Sequence, residues 1–77
     1  MIAPADAEKD FRGVLCPLNY VKTKMALAPL RPGQTLAVLV DADGARNVPE
    51  SVAKDGHEIV SVTQSENTYR ILIRRRG

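Results

Sequence analysis

Thr35-Leu36-Ala37-Val38-Leu39-Val40-Asp41 is the stretch that decides the fold. Its five consecutive apolar residues carry no polar alternation, which is the pattern of a central strand covered on at least part of both faces. Before it, Arg31-Pro32-Gly33-Gln34 reads as a turn, and Pro29 closes a helical segment over 17–28 because it cannot donate to the helix ladder. Within that segment Leu18, Val21, Met25 and Ala28 recur at spacings of three, four and three. The spacing predicts that this stripe faces the core. Tyr20 and Leu27 lie off it and extend burial to a second side.

After the central strand, Asp41-Ala42-Asp43-Gly44 reads as a strand-end turn with a helix cap. Two aspartates alone lack the further oxygen ligands of a calcium loop. A short second helix is expected over 48–54, capped by Asn47 or the loop before it, with Pro49 in its first turn and Gly56 just past its end. A third strand over 57–64 and a fourth over 68–74 flank a hairpin tip at Glu66-Asn67 and must run antiparallel. In the fourth, Tyr69, Ile71 and Ile73 share one face, and Arg70, Leu72 and Arg74 the other. At the other end, 1–6 reads as a flexible tail and 7–12 as a weak first strand with Phe11 pointing inward. The order βαβαββ predicts a single domain over 7–77, an α/β (α+β) two-layer sandwich. It has a four-stranded mixed sheet, the first two strands parallel, and two helices on one face.

Seventy-seven residues bury only roughly 60 % of their unfolded surface, so this core is small. Hydrophobic residues at 44 % and charged residues at 26 % suit a globular domain, and disorder is not expected. The net charge of +2 is too low to mark a nucleic-acid binder. Arg74-Arg75-Arg76 reads as a solvated tail, and no exposed aromatic interleaving accompanies it, so direct nucleic-acid binding is not expected. No apolar run approaches the roughly 18 residues that cross a bilayer, and the opening residues have neither the basic nor the apolar region of a secretory signal. One cysteine allows no internal disulfide and no cysteine metal cluster, so a reducing, cytoplasmic location and no metal or cofactor are expected.

That cysteine is Cys16, followed by Pro17 at the start of the first helical pattern. Proline is favoured at the first helical position, which predicts Cys16 at the N-cap. Unpaired first-turn N–H groups and the helix dipole would then favour a thiolate. Gly13 lets the backbone turn toward the sulfur. Arg12 either adds positive charge, binds a partner or is simply an exposed strand-end arginine, and Asn19 at the third helical position is expected to bond back toward the cap. Nucleophilic hydrolysis needs a base in reach. The only histidine, His57, starts the third strand, and its end of the sheet is left open by the sequence. The glycines are isolated turn residues with no phosphate loop. A thiolate with little machinery suits the carriage of sulfur by thiol exchange.

Asp10-Phe11-Arg12-Gly13-Val14-Leu15-Cys16-Pro17, then Lys22-Thr23-Lys24, Leu30 to Leu36 and Gly56-His57-Glu58 together resemble the TusA/SirA-like sulfur-carrier family. The resemblance spans 10–76 and implies a βαβαββ sandwich. It further implies that Cys16 holds a persulfide, received from a cysteine desulfurase or other sulfurtransferase and passed to an acceptor protein. On this resemblance the chain would be a sulfurtransferase-like carrier rather than a stand-alone turnover enzyme. Pro17, Gly13 and Arg12 would support the thiolate, while Lys22 and Lys24 would form a basic docking rim. Where the family places a second proline this chain has Asn19, which the resemblance sets on the docking surface beside the sulfur. The alternative is a non-enzymatic regulatory or binding module in which Cys16 is a redox sensor or inert.

Overall fold

The computed structural model describes residues 5–15 and 17–76. Its elements run β1 (Ala7–Asp10), α1 (Leu18–Leu27), β2 (Thr35–Val40), α2 (Ala42–Lys54), β3 (Glu58–Ser65) and β4 (Thr68–Arg74). All four strands join one mixed sheet in the order β1-β2-β4-β3. β1 and β2 are parallel, and β4 is antiparallel to both β2 and β3. β2 is central, as its unbroken apolar run requires: Leu36, Ala37, Val38 and Val40 are all buried. Alternate residues of β2 and β4 (Leu36, Val38, Val40, Ile71 and Ile73) meet Leu27 of α1 and Val48 and Val52 of α2 in one core. Both helices therefore cover the same sheet face. On the other face, Arg70 is buried and pairs with Glu8 at 3.6 Å.

Three expectations need correction. The second helix begins at Ala42, not near Val48, so Asn47 and Pro49 lie inside it. The missing proline N–H costs such a helix about 3 kcal/mol in isolation. Burial of Val48 and Val52, on either side of it, offsets that loss. Gly44 lies inside this helix as well, and only glycine fits there, since a Cβ would come within 2.6 Å of Val40 Cβ.

Asp6, expected in a loose tail, is tied to the sheet. Its N–H donates to the Thr35 carbonyl at 3.1 Å, and its carboxylate accepts the Thr35 N–H at 2.8 Å.

The third correction concerns α1. Its buried residues are Asn19, Thr23 and Leu27, one turn apart, whereas Leu18, Val21 and Met25 of the predicted core stripe are 57 %, 42 % and 69 % exposed. The helix is turned roughly half a revolution from the apolar-face-inward rule. Polar satisfaction permits it. Thr23 Oγ1 donates to the Asn19 carbonyl at 2.8 Å, and Asn19 Oδ1 accepts the Asn47 amide at 3.2 Å and the Tyr20 N–H at 2.7 Å. Two small, internally bonded side chains thus fill the contact between helices, and Leu27 anchors the helix in the core.

Candidate functional site

Because β1 and β2 are parallel, the segments leaving them emerge at the same end of the sheet, and both helices start there. The Phe11 N–H donates to the Leu39 carbonyl at 2.8 Å and holds the two strand ends together. The chain then turns: the Val14 N–H reaches back to the Phe11 carbonyl at 3.2 Å, with Gly13 at φ +81°. That left-handed angle is one a side chain rarely adopts, so the glycine expected to turn the backbone does so. Cys16, two residues beyond Val14, lies outside the described residues, and the N-cap expected there falls one residue later, at Pro17.

The helix start differs from the expectation. Pro17 occupies the N-cap, not the first helical position, and its carbonyl accepts the Val21 N–H at 3.1 Å. The first-turn donors are also partly spent. The Asn19 N–H donates to the Leu15 carbonyl at 3.1 Å and the Tyr20 N–H to Asn19 Oδ1, which leaves the Leu18 N–H without an acceptor among the described residues. Nor does the Asn19 side chain bond back to the cap or reach a docking surface. It is 1 % exposed and its oxygen is shared between the Tyr20 N–H of its own helix and the Asn47 amide of α2.

Arg12 is exposed, and its guanidinium donates to Asp10: Nε to Oδ1 at 2.9 Å and Nη2 to Oδ2 at 2.6 Å. The hydrogen bond from Arg12, with its charge, holds the Asp10 carboxyl at about 2, below its usual 3.8. A depressed carboxyl stabilises the fold above the unfolded pKa, and that contribution is lost as pH falls through the folded value. The pair should therefore persist to about pH 2. NMR titration of the Asp10 carboxyl carbon checks this, and a midpoint near 3.8 would mean that the fork does not form in solution.

Lys22 and Lys24 are both exposed. At about 100° per residue they flank the exposed stripe of Leu18, Val21 and Met25 on opposite sides. Leu15, 75 % exposed, continues that stripe past the position of Cys16. Lys22 also lines a shallow groove of about 300 Å³ between the end of β1 and α1, with Lys9, Phe11, Met25 and Ala26. Full burial of a Leu, Val or Met side chain is worth about 1.5–3 kcal/mol each, so leaving this stripe wet forgoes stabilisation that a small domain can ill spare. The apolar spacing was legible in the sequence, but its outward direction was not.

Other candidates sit elsewhere. β3 runs in the direction of β2, so His57, just before it, lies at the opposite end of the sheet from the Gly13 turn. Its Nδ1 accepts the Arg76 N–H at 3.1 Å. Arg74 and Arg76 gather at the same far end, each 3.2 Å from Glu58 Oε1, and their hydrogen bonds and charges lower the Glu58 pKa. Asp41 is the residue the sequence reading missed. It stands at the N-cap of α2 without capping it, and its Oδ2 accepts the Gly13 N–H at 2.6 Å. An aspartate ending a strand was visible, but its partner 28 residues away was not.

Among the described residues no group of three or more His, Cys, Asp and Glu side chains could hold a metal ion, and no helix is long and apolar enough to cross a membrane.

Comparison with known proteins adds to this geometry. The family model described as Sulfurtransferase TusA matches residues 7–75. A putative sulfur carrier protein of Archaeoglobus fulgidus is 39 % identical over 69 residues, covering 87 % of this chain and 78 % of the relative. The sulfur carrier protein TusA of Pseudomonas paraeruginosa is 31 % identical over the whole chain and 99 % of its own length. Among solved structures, a SirA-like protein from Desulfitobacterium hafniense superposes with a TM-score of 0.78 at 24 % identity, covering 92 % of this chain and 99 % of that one, and shares the fold.

Proposed function

Because the chain belongs to the TusA sulfurtransferase family, we propose that it carries sulfane sulfur as a persulfide on Cys16, between a donor and an acceptor protein in the reducing cytoplasm. The Cys16 thiolate attacks the outer sulfur of a donor persulfide, the donor's S–S bond breaks, and the donor leaves as a thiolate. Delivery is the same exchange in reverse, with the acceptor's thiolate attacking the outer sulfur. No net oxidant is required at either step. A cysteine desulfurase or another sulfurtransferase supplies the sulfur. The Leu18 N–H and the dipole of α1 favour the thiolate, whereas Arg12, already neutralised by Asp10, contributes little charge of its own.

The observation that carries this reading is the apolar stripe of Leu15, Leu18, Val21 and Met25, left exposed on both sides of position 16. A carrier must bring its one reactive atom against two different proteins, and a stripe rimmed by Lys22 and Lys24 fits partners with an apolar patch edged by carboxylates. Val21→Glu tests it. Loading from a cysteine desulfurase should fall about 30-fold, the cost of losing a central anchor of about 2 kcal/mol, while loading from inorganic polysulfide stays unchanged. Equal loss from both donors would remove the stripe from the docking surface.

A further inference from the structure

We infer that Asp41 is a positioning residue for sulfur transfer: by accepting the Gly13 N–H it fixes the turn that delivers the chain to Cys16. This rests on the carrier reading above and names a residue that acts on its site.

Two independent observations converge. The first is the contact itself, 2.6 Å from carboxylate oxygen to backbone nitrogen, the short distance of a charge-assisted hydrogen bond. Gly13 lies inside the turn closed by Val14 and Phe11, where its own N–H has no role in closing the turn. Asp41 takes that donor and joins the segment after β1 to the segment after β2.

The second is what Asp41 does not do. Its backbone has the extended N-cap conformation, φ −83° and ψ −179°, in which an aspartate ordinarily accepts an N–H of its own helix and contributes about 1 kcal/mol. Here the side chain makes no capping bond to α2. The ordinary structural use of this residue is given up in favour of the Gly13 turn. Losing the carboxylate therefore uncaps nothing, and its effect falls on the segment Gly13–Leu15.

Charge and positioning predict opposite signs, which makes the test decisive. Removal of a nearby negative charge favours a thiolate and would speed its reactions. Loss of a positioning contact slows them, because the sulfur is then no longer held at the first-turn N–H groups and dipole of α1 that favour its thiolate. Wild type, Asp41→Ala and Asp41→Asn are compared in two assays. One is alkylation of Cys16 by iodoacetamide. The other is loading with inorganic polysulfide followed by cyanolysis. In loading, the thiolate takes one sulfur atom and leaves a polysulfide shorter by one; in cyanolysis, cyanide removes that sulfur as thiocyanate and restores the thiolate.

Asp41→Ala should slow both assays about tenfold, as the loss of about one pKa unit of thiolate stabilisation would, with a melting midpoint close to wild type. Asp41→Asn keeps an acceptor oxygen and should match or exceed wild-type rates. Three outcomes overturn the proposal: Asp41→Ala as fast as wild type or faster, a slowdown that tracks loss of folded protein by circular dichroism, or Asp41→Asn as slow as Asp41→Ala. Failure of the wild type to load sulfur would instead sink the carrier reading, and the alkylation rates would still judge Asp41.

Discussion

Cys16→Ala is expected to abolish sulfur uptake. After incubation with a persulfide donor, wild type gains about one sulfur atom in its intact mass, and a reductant removes it. The alanine variant stays at its unmodified mass. Since this is the one cysteine of the chain, no second thiol can accept the sulfur in its place. Uptake by the variant at the wild-type rate would mean that sulfur is held by something other than a protein persulfide. Thiol titration separates the carrier from the regulatory alternative: slow alkylation and a Cys16 pKa at the ordinary value of about 8.5 favour the latter.

Asn19→Ala is expected to have the largest effect on stability. Its side-chain oxygen is the acceptor for both the Tyr20 N–H at the start of α1 and the Asn47 amide of α2. Truncation leaves both donors without that partner and opens a small void at a fully buried position. A cost of about 2 kcal/mol follows, which in a domain of this size lowers the melting midpoint by roughly 8–16 °C. A double-mutant cycle with Asn47→Ala should return a coupling of about 1 kcal/mol. A shift of under about 2 °C for Asn19→Ala would show that the interhelical bond is not made in solution. Asn19→Pro, which restores the second proline of the family motif, should also destabilise this chain. Proline cannot donate to the Leu15 carbonyl, as the Asn19 N–H does, nor accept from Asn47.

The buried Asn19 explains why one surface of the site could be read from the sequence only back to front. Leu18, Val21 and Met25 have the right spacing for a helix face, and apolar faces ordinarily turn inward. The competing stripe of Asn19, Thr23 and Leu27 carries one large apolar residue, and its two polar groups look costly to bury until their partners are known. Those partners are local for Thr23, which bonds the carbonyl one turn back, and distant for Asn19, which needs Asn47. The length of α2 was missed for a related reason. Asp, Gly and Pro at positions 41, 43, 44 and 49 are turn and breaker residues by propensity, yet packing of Val48 and Val52 keeps the segment helical.

By itself the sequence determined the order of the elements, the central place of Thr35–Val40, the hairpin at Glu66-Asn67 and the segment that carries the thiol. These depend on local physics: hydrophobic period, proline without a donor, glycine free to take positive φ. Only the tertiary structure decided which face of α1 is wet and that Asp41 grips the turn at Gly13 instead of capping its own helix. Both outcomes are set by hydrogen-bond partners brought together from 28 residues apart, and no local pattern records which of two available partners a polar group will take.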